Sequence, residues 1–185
     1  MAGLFVGTGL LMFAMNGTEW VFSNPTIQAH SGGVPILDTR MSYTPDEAHS
    51  LFAALGPEGR RAYRMLHLLP DMLFPIGYAL LFCFASAWFL VRLLPLDHRW
   101  QWLSLTPLIS GLADILENLS LVVASLLFPS RVDVLVQAAS VLTRIKFGLM
   151  PVGVIFLGAM LVIWFVQGRP ERHVAPPTDP MKPTL

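Results

Sequence analysis

Residues 102–128 read WLSLTPLISGLADILENLSLVVASLLF. This stretch is long and apolar enough to cross a bilayer as a helix, which needs about 20 mostly apolar residues. Its only charged residues are Asp114 and Glu117, and together with Asn118 they follow the spacing i, i+3, i+4, which places them on one helix face. Ionisable residues inside a membrane helix are costly, and they face the interior of a bundle. The stretch therefore predicts a transmembrane helix with an inward polar stripe.

The composition of the whole chain agrees with a membrane protein. Hydrophobic residues make up 54% and charged residues 13% of the 185 residues, whereas soluble domains carry about 25% charge. Mean hydropathy is +0.60. The 12 basic and 12 acidic residues cancel, so no strong field attracts polyanions such as nucleic acids. These values exclude a soluble enzyme, a nucleic-acid-binding protein and a disordered chain.

Three further stretches have the length and apolarity of membrane spans, namely residues 3–22, 65–94 and 134–166. We therefore predict an all-α polytopic membrane protein in which four transmembrane helices form an antiparallel bundle over residues 1–168. The polar, proline-rich tail at 169–185 is predicted to be disordered. Basic residues divide evenly between the two sides of this bundle, so the positive-inside rule decides little. We expect cytoplasmic termini and a location in the cell membrane, most simply a bacterial inner membrane.

The loop at 23–64 contains the pattern of a short amphipathic helix at about 45–55. Thr44 is suited to N-capping, and Pro45 would occupy the first helical position. The apolar residues then recur at helical spacing on one face: Ala48, Leu51, Phe52 and Leu55. Such a helix lies on the bilayer surface or across the bundle, where it acts as a fixed cap or as a lid.

Polar residues in the other predicted spans lie at a depth that matches the stripe at 114–118. In an antiparallel bundle, the end of span one, the start of span two, the second half of span three and the start of span four share one side. At 1.5 Å per residue, Asp114 and Lys146 both lie ~20 Å from that side, close to mid-membrane. The matching residues are Glu19, His67, Asp71, Asp114, Glu117, Asn118, Arg144 and Lys146.

These residues fall into two predicted roles. The carboxyl groups of Asp71, Asp114 and Glu117, removed from water, are candidates for catalytic proton transfer. The candidate ligand contacts are Asn118, Arg144, Lys146, His67, Tyr78 and Glu19. With His67 neutral, the four acids face only two bases, and a proton, a cation or a cationic ligand would restore the balance. A network of ion pairs that only fixes helix packing is the alternative.

Proline and histidine positions refine this site. Pro75 has no N–H, so the carbonyl of Asp71 loses its helical partner, and we expect a kink near Pro75 and a freed carbonyl that finds a new partner or lines a polar cavity. A bis-histidine haem is excluded because only His67 lies in a predicted span. With a single cysteine, Cys83, there is neither a disulfide nor a cysteine cluster, so we assign no metal and leave any cofactor open.

Several motifs together resemble a group of uncharacterised four-span membrane proteins of bacteria and fungi. The motifs are Tyr43-Thr44-Pro45-Asp46-Glu47, then Gly59-Arg60-x-x-Tyr63, Asp71-x-x-Phe74-Pro75-x-x-Tyr78, Asp114-x-x-Glu117-Asn118 and a basic residue at Lys146. The resemblance covers about residues 37–166 and implies a four-helix membrane fold whose polar positions belong together. It adds Arg60 and Tyr63 to the candidate ligand contacts, and it implies no activity.

Three functions fit these patterns. The first is a polar pocket for an amphiphilic ligand such as a lipid, isoprenoid or quinone, with apolar walls around its tail. The second is an accessory subunit of a larger membrane complex, with charges that bridge partner helices. The third is an ion- or proton-coupled transporter, which would need an oligomer because four spans are few. Membrane lipids are the expected surroundings in each case.

Overall fold

The computed structural model describes residues 2–20, 22–95 and 97–167, and the regular elements in these ranges are all helical. Two short 3-10 helices, Leu37–Thr39 and Arg99–Leu105, lie between the α-helices. The predicted disordered tail at 169–185 lies outside the described residues. The α-helices are α1 (Ala2–Asn16), α2 (Asn24–His30), α3 (Pro45–Leu68), α4 (Pro70–Leu93), α5 (Thr106–Leu127) and α6 (Asp133–Gln167).

Within the described ranges, three helical segments are long and apolar enough to cross a membrane. They are Pro45–Leu93, Arg99–Leu127 and Asp133–Val166. The predicted first span at 3–22 is shorter than expected, because α1 ends at Asn16 and the chain bends before α2. The fold is thus an all-helical bundle with three segments of membrane-spanning length and a shorter apolar helix beside them.

The first half of α3 is the amphipathic helix that the sequence predicted. Thr44 caps it in a capping box, in which the Thr44 hydroxyl accepts from the Glu47 amide while the Glu47 carboxylate accepts from the Thr44 amide. Gly56 interrupts the helix with a φ of 63°, a conformation that favours glycine, and Pro57 begins the next helical run. This kink turns the second half of α3 back toward the bundle.

The predicted apolar face of this helix is buried. Its four residues lie in the main hydrophobic core with side chains of α5 and α6, including Leu121 and Val136. An exposed ion pair also joins Asp46 to Arg131 at 2.6 Å beyond the end of α5. The helix therefore packs against α5 and α6. The core residues of the helix are Ala48, Leu51, Phe52 and Leu55.

The entry into α4 differs from the prediction for span two. The helical run breaks at Leu69, whose φ and ψ are −111° and −85°, because Pro70 cannot donate to the preceding turn. The regular helix α4 runs through Pro75 and the break in the helical run comes earlier, so the kink near Pro75 stays a prediction. The other half of that prediction is confirmed, since the Asn118 side-chain amide donates to the freed carbonyl of Asp71 at 2.9 Å.

Helices α4 and α5 approach closely at Gly111. A Cβ atom at this position would lie 2.7 Å from the Ala79 Cβ and 3.0 Å from the Pro75 carbonyl oxygen. Three residues later, the side chain of Asp114 is buried in the same interface. The small residues therefore hold the polar stripe of α5 against α4.

Candidate functional site

Lys146 lies at the centre of the polar interior. Its Nζ is 3.0 Å from Asp114 Oδ1 and 2.8 Å from Glu117 Oε2, and all three side chains are at most 7% exposed. The predicted meeting of α5 and α6 at these residues is confirmed. An ammonium group that bridges two buried carboxylates is a strongly coupled arrangement, because little solvent screens it.

Hydroxyl groups from α4, from α6 and from the loop before α3 donate hydrogen bonds to these carboxylates. The Tyr78 hydroxyl donates to Asp114 Oδ2 at 3.2 Å, and the Tyr43 hydroxyl donates to Glu117 Oε1 at 3.2 Å. The Thr143 hydroxyl also donates to Glu117 Oε1. Each carboxylate thus has one oxygen toward Lys146 and the other toward hydroxyl donors.

A second polar group adjoins the first. His67 Nε2 lies 3.5 Å from Asp38 Oδ1 and 3.9 Å from Asp71 Oδ2, while its Nδ1 lies 2.8 Å from the Tyr63 carbonyl oxygen. Lys146 Nζ donates to the backbone carbonyl of Asp38 at 3.4 Å and so connects the two groups. We call the six residues the buried charge cluster: Asp38, His67, Asp71, Asp114, Glu117 and Lys146.

The charges of this cluster do not balance. It contains four carboxylates and one ammonium group, with His67 as the only other ionisable cation. When His67 is neutral, the cluster therefore carries an excess of three negative charges. Buried charges without partners are strongly disfavoured, so protons or a bound cation must reduce this excess.

A cavity of about 280 Å³ opens beside the cluster. Its wall combines polar side chains with methionine and phenylalanine side chains of α1, α4 and α6. Met12 of α1 is itself exposed, which places it at the rim. The lining residues are Met12, Met15, Asn16, Asn24, Asp38, Thr39, Asp71, Phe74, Asp114, Lys146, Phe147 and Met150.

Burial and neighbouring charges shift the pKa values of two ionisable groups in the loop before α3. Burial by itself would raise the pKa of Asp38, but the adjacent His67 and Lys146 outweigh it and leave that pKa below its ordinary value. Burial, followed by the negative charge of Glu117, raises the pKa of the Tyr43 phenol far above its ordinary value. The loop therefore presents an ionised carboxylate and a neutral phenol to the bundle.

Three predicted contacts lie outside the cluster. Glu19 is exposed, because α1 ends before it. Arg144 is also exposed, since two residues of an α-helix turn its side chain about 200° away from Lys146. Arg60 donates to the Phe52 carbonyl at 2.7 Å and stacks 4.4 Å from the Phe128 ring centre, so it serves the packing of α3.

The remaining predicted residues lie in or against the cluster. His67, Asp71, Asp114, Glu117, Asn118 and Tyr78 are all buried there. Tyr63 packs its ring 4.1 Å from that of His67, and its buried hydroxyl has no hydrogen-bond partner among the described residues. The structure shows that these residues lie together, and their catalytic and ligand-binding roles stay predictions.

Three participants were not among the predicted site residues. Asp38 lies in a short 3-10 helix whose sequence has no periodic signal, so nothing in the pattern could place it in the bundle. Tyr43 stands next to the capping residue of α3, and Thr143 shares a helix face with Lys146 at i, i+3. Tyr43 also belongs to the first motif of the resemblance, so both positions carried a sequence signal.

Comparisons of the chain with protein-family models, curated protein sequences and solved structures find no match.

Proposed function

We propose that this protein binds an amphiphilic ligand in the cavity beside the buried charge cluster. The observation that carries the proposal is that charged side chains and apolar side chains line the same cavity. The polar head would lie against Asp114 and Lys146, and the apolar part would lie against Phe74, Phe147 and Met150. Ligand pockets combine apolar side chains with placed polar groups, and the lining here contains both, with polar residues in the majority.

The charges favour a neutral or cationic head group. Lys146 already neutralises parts of Asp114 and Glu117, and the carboxylates of Asp38 and Asp71 line the same space. An anionic head would meet this negative excess, whereas a carbonyl or hydroxyl group could accept from Lys146 without repulsion. Because Lys146 is the one basic residue among the described residues that line the cavity, an anionic head group is disfavoured, and a quinone or isoprenoid alcohol is favoured.

The size of the cavity indicates how such a ligand would sit. About 280 Å³ is at the lower limit of the roughly 300–1,000 Å³ that ligand pockets occupy. The cavity therefore holds the head and the first part of a chain. The rest of the chain would pass the exposed Met12 at the rim and continue into surrounding lipid.

A cavity-filling substitution tests the proposal. Met150 lines the cavity, whereas the half-buried Met72 of α4 does not, so Met150→Trp and Met72→Trp are a matched pair. The purified variants would be heated in mild detergent with decylubiquinone, farnesol or phosphatidylglycerol. We expect decylubiquinone or farnesol to raise the melting temperature of the wild type and of Met72→Trp, and not that of Met150→Trp.

Two results would contradict the proposal. One is an equal shift in Met150→Trp, and the other is the absence of a shift with both neutral probes. A larger shift with phosphatidylglycerol would overturn the assignment of the head group. Stoichiometric co-purification of other membrane chains, with no response to either neutral probe, would instead support an accessory subunit.

A further inference from the structure

We propose that Asp38, His67 and Asp71 form a binding site for one divalent metal ion of the zinc class. The site is separate from the contacts of Lys146 with Asp114 and Glu117, and it goes beyond the proposed binding of an amphiphile. Each of the three residues offers one ligand atom, and the three atoms lie within 4.8 Å of one another. A nitrogen and two carboxylate oxygens are ligands that zinc accepts.

The spacing of these atoms suits coordination better than hydrogen bonding. His67 Nε2 is 3.5 Å from Asp38 Oδ1 and 3.9 Å from Asp71 Oδ2, beyond the roughly 2.7–3.2 Å of a hydrogen bond. Ligand atoms bound at about 2.0–2.2 Å to a tetrahedral metal lie about 3.3–3.6 Å from each other. The Asp38–His67 separation falls in this range and the His67–Asp71 separation exceeds it, so an inward shift of the Asp71 side chain would bring all three atoms to one ion.

The same three atoms are buried and unpartnered. Asp38 Oδ1, His67 Nε2 and Asp71 Oδ2 each have no hydrogen-bond partner among the described residues. The His67 side chain is fully buried, and the side chains of Asp38 and Asp71 are 10% and 7% exposed. Leaving a buried polar atom unpaired is costly, and three such atoms that converge on one point indicate a shared partner.

The other nitrogen of His67 supports this assignment. Nδ1 lies 2.8 Å from the Tyr63 carbonyl oxygen, which only accepts, so Nδ1 carries the proton. In this neutral tautomer, Nε2 carries a lone pair and no proton. It faces two carboxylate oxygens that also only accept, so none of the three atoms donates a hydrogen bond to another. A metal-ligating histidine commonly donates its second N–H to a backbone carbonyl in this way.

The negative charge excess of the buried charge cluster favours a divalent cation. A divalent cation would reduce the three excess negative charges of the buried charge cluster to one. The imidazole ligand favours zinc or a neighbouring transition metal over magnesium and calcium, which prefer oxygen. Asp38 and Asp71 both line the cavity, so a fourth coordination position would face it, as in zinc sites that keep one position open.

Metal titration of the purified full chain tests the site. After treatment with a chelator and its removal, zinc and cobalt(II) would be added separately, followed by calorimetry and by the visible absorption of bound cobalt. Asp38→Asn and His67→Gln each remove one ligand. His49→Gln is the matched control on the same helix, because His49 lies outside the cluster and contacts the Pro129 carbonyl.

We expect one zinc ion per chain in the wild type and in His49→Gln. Affinity should fall in Asp38→Asn by more than the about 10–100-fold that loss of an outer-shell partner costs. Should His67→Gln fail to fold, Asp38→Asn decides alone, and its folding is checked by its melting temperature without metal. No stoichiometric zinc binding by the wild type, or equal binding in Asp38→Asn, would overturn the site and would indicate a protonated His67 paired with the carboxylates.

The metal titration and the amphiphile assay can fail independently of each other. Met150→Trp should bind zinc as the wild type does, because Met150 is not a ligand. Loss of the amphiphile response with intact metal binding, or the reverse, therefore assigns each failure to its own site.

Discussion

Replacing Lys146 with methionine tests whether the buried charge cluster depends on its single ammonium group. Lys146 Nζ lies 3.0 Å from Asp114 Oδ1 and 2.8 Å from Glu117 Oε2. Methionine preserves the apolar stem of the side chain and removes the charge and the donors. The two carboxylates would then face each other without a counter-ion.

The size of the effect follows from burial. Removing one partner of a buried ion pair costs about 3–5 kcal/mol, because the other charge stays buried and unpaired. We expect Lys146→Met to lower the free energy of unfolding by about this amount at neutral pH. The loss should shrink as the pH falls, since protonation removes the unpaired charge from the carboxylates.

Reversible unfolding in mixed micelles of mild detergent and dodecyl sulfate, followed by helical circular dichroism, would measure the loss. Arg144→Met is the matched control, because it removes a basic residue from the same helix at an exposed position. Such surface changes usually stay within about 0.5 kcal/mol. The triple variant Lys146→Met, Asp114→Asn, Glu117→Gln should recover most of the loss. Equal stability of Lys146→Met and Arg144→Met would refute the reasoning.

Three further predictions concern packing and pH, all measured by the same unfolding assay. Asn118→Leu leaves the carbonyl of Asp71 unpaired and should cost about 1–3 kcal/mol, and an unchanged stability would contradict the role of that hydrogen bond. Gly111→Ala brings a Cβ to 2.7 Å from that of Ala79 and should cost about 1–3 kcal/mol, whereas a neutral result would mean that α4 and α5 separate freely. Burial and then Glu117 raise the pKa of Tyr43, so the unfolded chain releases this proton first, and the free energy of unfolding should fall as the pH rises above about 10. Tyr43→Phe should make that fall shallower, and an equal slope in both proteins would speak against a buried phenol.

The sequence predicted those features that depend on local periodicity. The apolar face of the first half of α3 and the polar stripe on α5 both follow from helical spacing. The meeting of α5 with Lys146 followed from depth, because antiparallel helices place residues at equal distances from one surface. Each of these features follows from residue spacing along a helix, so it is preserved when the helices pack together.

Features that depend on chain breaks and loops could not be predicted in this way. Helix α3 ends at Leu68, because Pro70 interrupts the helical run ahead of Pro75, and α1 ends too early to carry Glu19 into the bundle. Arg144 matches Lys146 in depth and was expected on a neighbouring helix face, but its side chain points away from the cluster. Asp38 reaches the cluster through a loop, whose path tertiary packing decides.

An experimental structure of the protein in a native lipid environment tests the central claim most directly, because it shows what occupies the cavity beside Asp114 and Lys146. We predict an elongated non-protein density that begins within hydrogen-bonding distance of Lys146 and passes Met150 toward the rim at Met12. A cavity closed by protein side chains, or one that holds only isolated waters, would contradict the proposed binding of an amphiphilic ligand.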